Sequence, residues 1–292
     1  MHIRFIFWIS ILCASTLVAQ LPKTDLYLAE FKGLSAVPQL LKIKYLNDFN
    51  PNGYNNQPGF FTFDELFLTV GKDTSNTTEI YHLNLKSAEY FRFTETPGIS
   101  EFSATSSMQK GKISCVRIEP DGKDQSLWSY PADRSGMGSR LLPNLKNIGY
   151  YAWLNKDSLA LFLVGNPHTL VIADVNTGKT DFIIDNIGRC IKYDNEGRLF
   201  FVHKVKSDLW QLKSLDIQNR NTKVICTMPP GREDYDLLIN GNIIAGDGSK
   251  LKTINPAKST EWVEIADFSN LGINNINRLV AVRDRVVFVN NK

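Results

Sequence analysis

Glu101, Glu233 and Asp234 are the carboxylates whose placement could do chemistry in this chain, and Arg189 is the cation that could work with them. Two carboxyl groups facing each other across roughly 5 to 10 Å can split a glycosidic bond, one as acid and the other as nucleophile or base. Arg189 could offer a planar fork of donors to a ligand carboxylate, while Glu101 and Asp234 accept from amines or hydroxyls. Such charge-assisted hydrogen bonds are about twice as strong as neutral ones. Asn55, Asn56, Gln57, Tyr151 and Asn274 add amides and an aromatic hydroxyl. The set suits a peptide, a glycan or a cation, and only a fold can bring such distant residues together.

Motifs that would announce a reaction are absent from the sequence. There is no Gly-x-Ser-x-Gly elbow, no His-Glu-x-x-His, no Cys-x-x-Cys pair, no EF-hand loop and no phosphate-cradling glycine loop. His82, His168 and His203 share no ligand spacing and read as structural. Of the four cysteines, Cys13 falls in the N-terminal apolar run; beyond residue 20 Cys115, Cys190 and Cys226 sit beside apolar residues and are odd in number, so they read as buried thiols rather than a disulfide framework. Neither a metal nor a cofactor is expected.

Residues 1–20 have a basic start with Arg4, a 14-residue apolar run from Phe5 to Val18, and small residues before a cut near Ala19 or Gln20. This reads as a secretory signal peptide, too short for the roughly 20 residues that span a bilayer as a helix. Residues 21–292 then form the mature domain, periplasmic or extracellular, without a membrane span. The whole chain holds 33 basic and 30 acidic residues; removing Arg4 leaves 32 against 30, a formal +2. No basic cluster stands out, which argues against a nucleic-acid partner. A monomer is expected.

The elements that must position the candidate residues recur. Tyr54 to Phe60 opens a strand, Asp64 marks a tight turn, Leu66 to Val70 forms a second strand, and strands at Ile80 and Glu89 to Thr94 complete a four-stranded unit. Equivalent third strands fall at Ile80, Leu127, Leu170, Leu209 and Leu251, at intervals of 47, 43, 39 and 42 residues. A period of about 40 to 45 residues with four short strands is the signature of a β-propeller blade. The second strands are continuously apolar, as in Leu159 to Val164 and Val286 to Val289, which fits burial on both faces. Turn residues such as Lys110-Gly111, Asn195-Glu196-Gly197 and Asn240-Gly241 precede them.

Six second strands can be counted, yet the last unit ends after two strands. Asp25 to Phe31 and Gln39 to Tyr45 supply the missing pair from the N-terminal side. The expected fold is therefore all-β, a six-bladed β-propeller whose last blade is closed by N-terminal and C-terminal strands, a device that removes exposed edges.

Asn55-Asn56-Gln57-Pro58-Gly59-Phe60, followed by an acidic turn and Leu66-Phe67-Leu68, resembles the repeat of TolB-type, WD40-like propellers. The likeness is sharp in the first unit and holds in layout for all six. The chain also resembles exported propellers of Bacteroidetes type. This resemblance implies the fold and the compartment, while propellers host binding proteins, hydrolases and lyases alike.

Six-fold rings concentrate function at the channel mouth, where the loops into the innermost strands converge. Aligning the units on their second strands places Asn55, Asn56, Gln57, Glu101, Tyr150, Tyr151, Arg189, Glu233, Asp234, Asn274 and Asn275 there. Two readings follow. One is a non-catalytic binding or scaffold propeller holding a protein, peptide or small ligand; the other is a carbohydrate-active or other channel-sited hydrolase or lyase using Glu101 with Glu233 or Asp234. The Lys72 to Thr78 and Pro131 to Gly138 connections are further candidate contact loops. Export makes a direct prediction: the mature protein begins near Gln20 or Leu21 and is released by osmotic shock or found in the medium. Intact-mass measurement finding Met1 retained, or a lipid on Cys13, would refute it.

Overall fold

The computed structural model describes residues 21–72 and 75–292, so the signal-peptide reading and part of the Lys72 to Thr78 connection lie outside the described residues. Six four-stranded antiparallel sheets form a ring. After β1 (Thr24–Lys32) and β2 (Gln39–Tyr45), blade 1 contains β3 (Tyr54–Thr62), β4 (Glu65–Gly71), β5 (Glu79–Asn84) and β6 (Tyr90–Arg92). Blade 2 runs from β7 (Ser100–Ser106) through β8 (Lys112–Ile118) and β9 (Gln125–Pro131) to β10 (Ser139–Leu141). Blade 3 contains β11 (Ile148–Asn155), β12 (Ser158–Leu163), β13 (Thr169–Asp174) and β14 (Thr180–Asp185). Blade 4 contains β15 (Ile187–Tyr193), β16 (Arg198–Lys206), β17 (Leu209–Asp216) and β18 (Thr222–Thr227). Blade 5 contains β19 (Tyr235–Leu237), β20 (Ile243–Asp247), β21 (Lys250–Ile254) and β22 (Val263–Asp267), and β23 (Ile276–Val282) and β24 (Arg285–Asn291) begin blade 6.

Blade 6 has the strand order β2-β1-β24-β23, so both ends of the described chain build it. Leu26 pairs with Val289 and Leu28 with Val287, as the sequence predicts. Asn55, expected at the channel, is instead fully buried and fastens β1 to blade 1. Its backbone N–H donates to Thr24 Oγ1 at 2.7 Å, and its Nδ2 donates to the carbonyls of Thr24 (3.1 Å) and Asn50 (2.9 Å). Arg285 clamps the other edge of the seam, with Nε on Glu30 Oε1 at 3.0 Å and Nη1 on Asp64 Oδ1 at 2.9 Å.

Alternation along the second strands explains the core. Phe67 faces blade 2, whereas Leu66 and Leu68 face blade 6. Val286 and Phe288 face blade 5, and Val287 and Val289 face blade 1. A continuously apolar strand thus feeds two interblade cores, and six apolar clusters lie between neighbouring blades around the ring. The turn signals act as expected: Gly111, Gly197 and Gly241 all adopt positive φ, a conformation that costs other residues strain.

Phe288 is fully buried and stacks on Tyr27 of β1 and on Phe268, with ring centroids 5.6 and 5.2 Å away. Truncating a buried phenylalanine costs about 3 to 5 kcal/mol, against a typical total stability of about 5 to 15 kcal/mol. Phe288→Ala is therefore expected to lower the denaturation midpoint steeply. A loss below about 1 kcal/mol, the size of an ordinary substitution, would show that this seam does not hold the ring.

Candidate functional site

A cavity of about 460 Å³ runs along the axis, lined from the innermost strands β3, β7, β11, β15 and β23 and by Asp234 just before β19. Backbone irregularity shapes it. Five of the six innermost strands break register with their neighbour at or near the residues lining the cavity: between Asn56 and Gly59, Phe102 and Thr105, Ile148 and Tyr150, Ile187 and Ile191, and Ile276 and Arg278. The sixth, β19, pairs continuously with β20. Such bulges bend the strand and re-aim its side chains. Gln57 and Ser103 accordingly adopt positive φ, at 51° and 56°, and Gln57 Oε1 accepts from Ser103 N at 2.9 Å and Thr69 Oγ1 at 2.7 Å.

Arg189 and Asp234 meet as the sequence predicts. Arg189 Nε and Nη2 donate to the two oxygens of Asp234 at 3.3 and 2.5 Å. Nη1 lies 3.5 Å from Glu233 Oε1, and Lys204 Nζ lies 2.7 Å from the other Glu233 oxygen. Burial opposes the Arg189 charge, but Asp234 outweighs it and raises the pKa above the ordinary arginine value. Burial likewise opposes ionisation of Glu233, yet the hydrogen bond from Lys204 and the charge of Arg189 bring its pKa below the usual glutamate value. Gly188 permits this packing: a Cβ there would lie 3.0 Å from Glu233 Cβ and 3.1 Å from Val202 Cβ.

Arg278, absent from the sequence-based set, completes the cluster. Its Nη2 donates to Tyr150 Oη at 2.6 Å, and its guanidinium lies 5.1 Å from the Tyr150 ring centroid. Blades 3 and 6 are opposite each other in the six-membered ring, so this hydrogen bond spans the channel. Burial again disfavours the charge, while Tyr150 and Asp234 support it and the net pKa is raised. A sequence signal for Arg278 did exist. Ile148-Gly149-Tyr150, Ile187-Gly188-Arg189 and Ile276-Asn277-Arg278 share a fully buried isoleucine two residues before the side chain that enters the channel.

The remaining candidates divide. Gln57 and Tyr151 line the cavity, although the Tyr151 hydroxyl is committed to the carbonyls of Ser103 (3.1 Å) and Ser114 (2.5 Å) in blade 2. Asn56 is buried, its Oδ1 accepting from Gln57 N at 2.8 Å. Asn274 is exposed and outside the cavity lining, with its backbone N–H donating to Asn290 Oδ1 at 3.2 Å. Cys190, expected to be buried, is half-buried on the channel wall. Burial pushes its thiol pKa up to about 12, so it remains an unreactive thiol at neutral pH.

Glu101 is the main correction. It has no exposed surface and lies between blades 1 and 2, where Tyr130 Oη donates to its Oε1 at 2.5 Å and its Oε2 has no hydrogen-bond partner. Its position one residue before Phe102 puts it on the interblade side of the β7 bulge. The proposed pair of Glu101 with Glu233 or Asp234 is therefore not assembled in the channel. Among the described residues no group of three or more His, Cys, Asp or Glu side chains is arranged to hold a metal ion.

No family model and no curated protein matches this sequence. Solved structures do match the fold. A TolB-type protein from Agrobacterium tumefaciens superposes with a TM-score of 0.66 at 10% identity, covering 93% of this chain and 99% of that one. TolB from Acinetobacter baumannii gives 0.56 at 12%, covering 80% and 61%. An oligogalacturonate lyase in complex with manganese gives 0.54 at 12%, covering 91% and 86%. The chain thus has a six-bladed β-propeller fold resembling that of TolB-type proteins, and an oligogalacturonate lyase is among the solved structures that superpose on it.

The Glu101 site yields a pH prediction. Burial, reinforced by the charge of nearby Glu79, raises its pKa above the ordinary 4.5 despite the hydrogen bond from Tyr130. The folded form then retains a proton that the unfolded chain releases, so this group's contribution to stability falls as pH rises from 4.5 through the raised value. Glu101→Gln keeps an acceptor for Tyr130 and removes the titration. The variant should gain stability relative to wild type across that window, by about 1.4 kcal/mol for each pH unit between the unfolded and folded pKa. A wild-type-to-variant difference that stays constant over about pH 4 to 8 would contradict the assignment.

Proposed function

We propose that this chain is an exported, non-catalytic binding propeller that holds a small ligand or the end of a peptide in its central channel. One observation carries the reading: a cavity of about 460 Å³ lies on the axis, where bulged innermost strands turn Tyr150, Arg189 and Arg278 inward. Ligand sites are typically preformed concavities of about 300 to 1,000 Å³ with a few convergent polar groups. The enzyme alternative is less well supported. Glu101 sits in an interblade core, and Glu233 and Asp234 are sequence neighbours engaged by Lys204 and Arg189 rather than facing each other across a substrate.

Export rests on the character of residues 1–20 and agrees with the TolB likeness. Among the described residues no helix is long and apolar enough to cross a membrane, a statement that does not extend to strands.

Ser106 ends β7, is exposed and lines the cavity. Ser106→Trp should fill the channel while leaving the interblade cores intact. In a thermal-shift panel of peptides and small metabolites, a ligand at a hundred times its Kd stabilises by about 2.7 kcal/mol, several degrees for a chain of this size. The shift should vanish in the tryptophan variant, whose own melting temperature is unchanged. Shifts that persist would move the site elsewhere, with the Pro131 to Gly138 loop the next candidate. Turnover of a glycan or peptide by wild type, abolished by Ser106→Trp, would replace the binding reading with the enzymatic one.

A further inference from the structure

The two arginines of the channel are not equivalent. Arg189 is occupied, with Asp234 taking two of its donors and Glu233 lying beside a third. Arg278 hydrogen-bonds the hydroxyl of Tyr150 and, among the described residues, has no carboxylate within ion-pair distance. The rest of its donor fork faces the cavity that it lines. Arg278 is half-buried, and a guanidinium partly withdrawn from water is normally paired, because an unpaired charge becomes costly as it is buried.

We propose that Arg278 and Tyr150 form a receptor for a single carboxylate group, and that the channel ligand is a small monocarboxylate. The inference rests on the channel-binding reading and specifies its chemistry. Arg189, Lys192, Lys204 and Arg278 contribute four positive charges, and Glu233, Asp234 and Asp236 contribute three negative ones. The surplus of one positive charge matches one carboxylate. A phosphate dianion would overcompensate it beside Asp234. Geometry agrees with the count: the guanidinium is planar and forked, as bidentate carboxylate recognition requires. Tyr150 Oη accepts from Arg278 and can turn its own proton toward a carboxylate oxygen. The two residues come from opposite blades, so the bound group would sit near the axis.

The cavity limits what else the ligand can carry. Its lining continues from Arg278 along β23 to Val282, along β7 to Ser106, and beyond β7 to Met108, the last two both exposed. Pro58, Phe60, Ile191 and Val280 contribute apolar wall. An acyl amino acid, a short peptide's C-terminus or an aryl acid meets both demands, and all share the same head group.

The test uses the mature chain with three acids: benzoate, N-acetyl-phenylalanine and an N-acetylated tripeptide ending in phenylalanine. Each is paired with its carboxamide, and binding is measured by calorimetry. At least one acid should bind saturably and exceed its amide by about tenfold or more, the factor that about 1.4 kcal/mol represents. Which acid binds best separates a free metabolite from a peptide C-terminus. Arg278→Gln should erase the acid preference, and Arg278→Lys should retain part of it, because lysine keeps the charge without the fork. Circular dichroism and melting temperature establish that the variants are folded, and Tyr150→Phe provides a second, milder probe. Equal binding of acid and amide, undiminished acid binding by Arg278→Gln, or no binding by any acid would overturn the proposal. If neutral ligands bind and Ser106→Trp blocks them, the channel reading stands and only the carboxylate inference falls.

Discussion

Each blade of this propeller is apolar on both faces, so no blade can satisfy its hydrophobic surface alone. Phe67 points one way from β4 while Leu66 and Leu68 point the other, and Phe288 and Val289 repeat the arrangement on β24. Apolar burial is roughly proportional to the area removed from water, which makes the ring worth closing only if it closes completely. The β1–β24 seam supplies that closure. Its polar fastenings, the Asn55–Thr24–Asn50 network and the Arg285 clamp, make pairing specific where the chain's two ends must find each other across more than 250 residues.

Ring closure also creates the channel. Innermost strands have one unpaired edge, and around a six-membered ring those edges face a common axis. Regular strands would send their side chains into the interblade cores and leave the axis to the backbone. Bulges break that rule in five blades, and Tyr150, Arg189 and Arg278 enter the channel where they occur. The buried isoleucine before each of these residues anchors the strand in a core, and the irregularity that follows redirects the chain.

Polar groups in the interblade layers answer to a different constraint. Glu101 and Tyr130 form a buried hydrogen-bonded pair between blades 1 and 2, and Tyr151 and Trp153 reach across to Ser114 in the next blade. Such contacts fix how neighbouring blades sit against each other. They contribute specificity to an otherwise apolar and geometrically permissive interface, and they draw candidate site residues away from the channel.

The sequence by itself determined the number of blades, the strand order within each and the origin of the closing strands, because hydrophobic period, turn chemistry and repeat length are local properties that six units state repeatedly. It also brought Arg189 and Asp234 to one place, since equivalent positions in neighbouring blades meet in any closed ring. Only the tertiary structure decided which side chains face the axis. Glu101, Asn55 and Asn56 stand at matching places in the repeat and are buried in interfaces, while Arg278 lies a few residues beyond the aligned Asn274 and reaches the channel. The physical reason is the period of two along a strand: one extra residue in a bulge reverses which face every following side chain occupies. A bulge arises from the balance of packing on both sides of a strand, and that balance exists only once the neighbouring blades are in place.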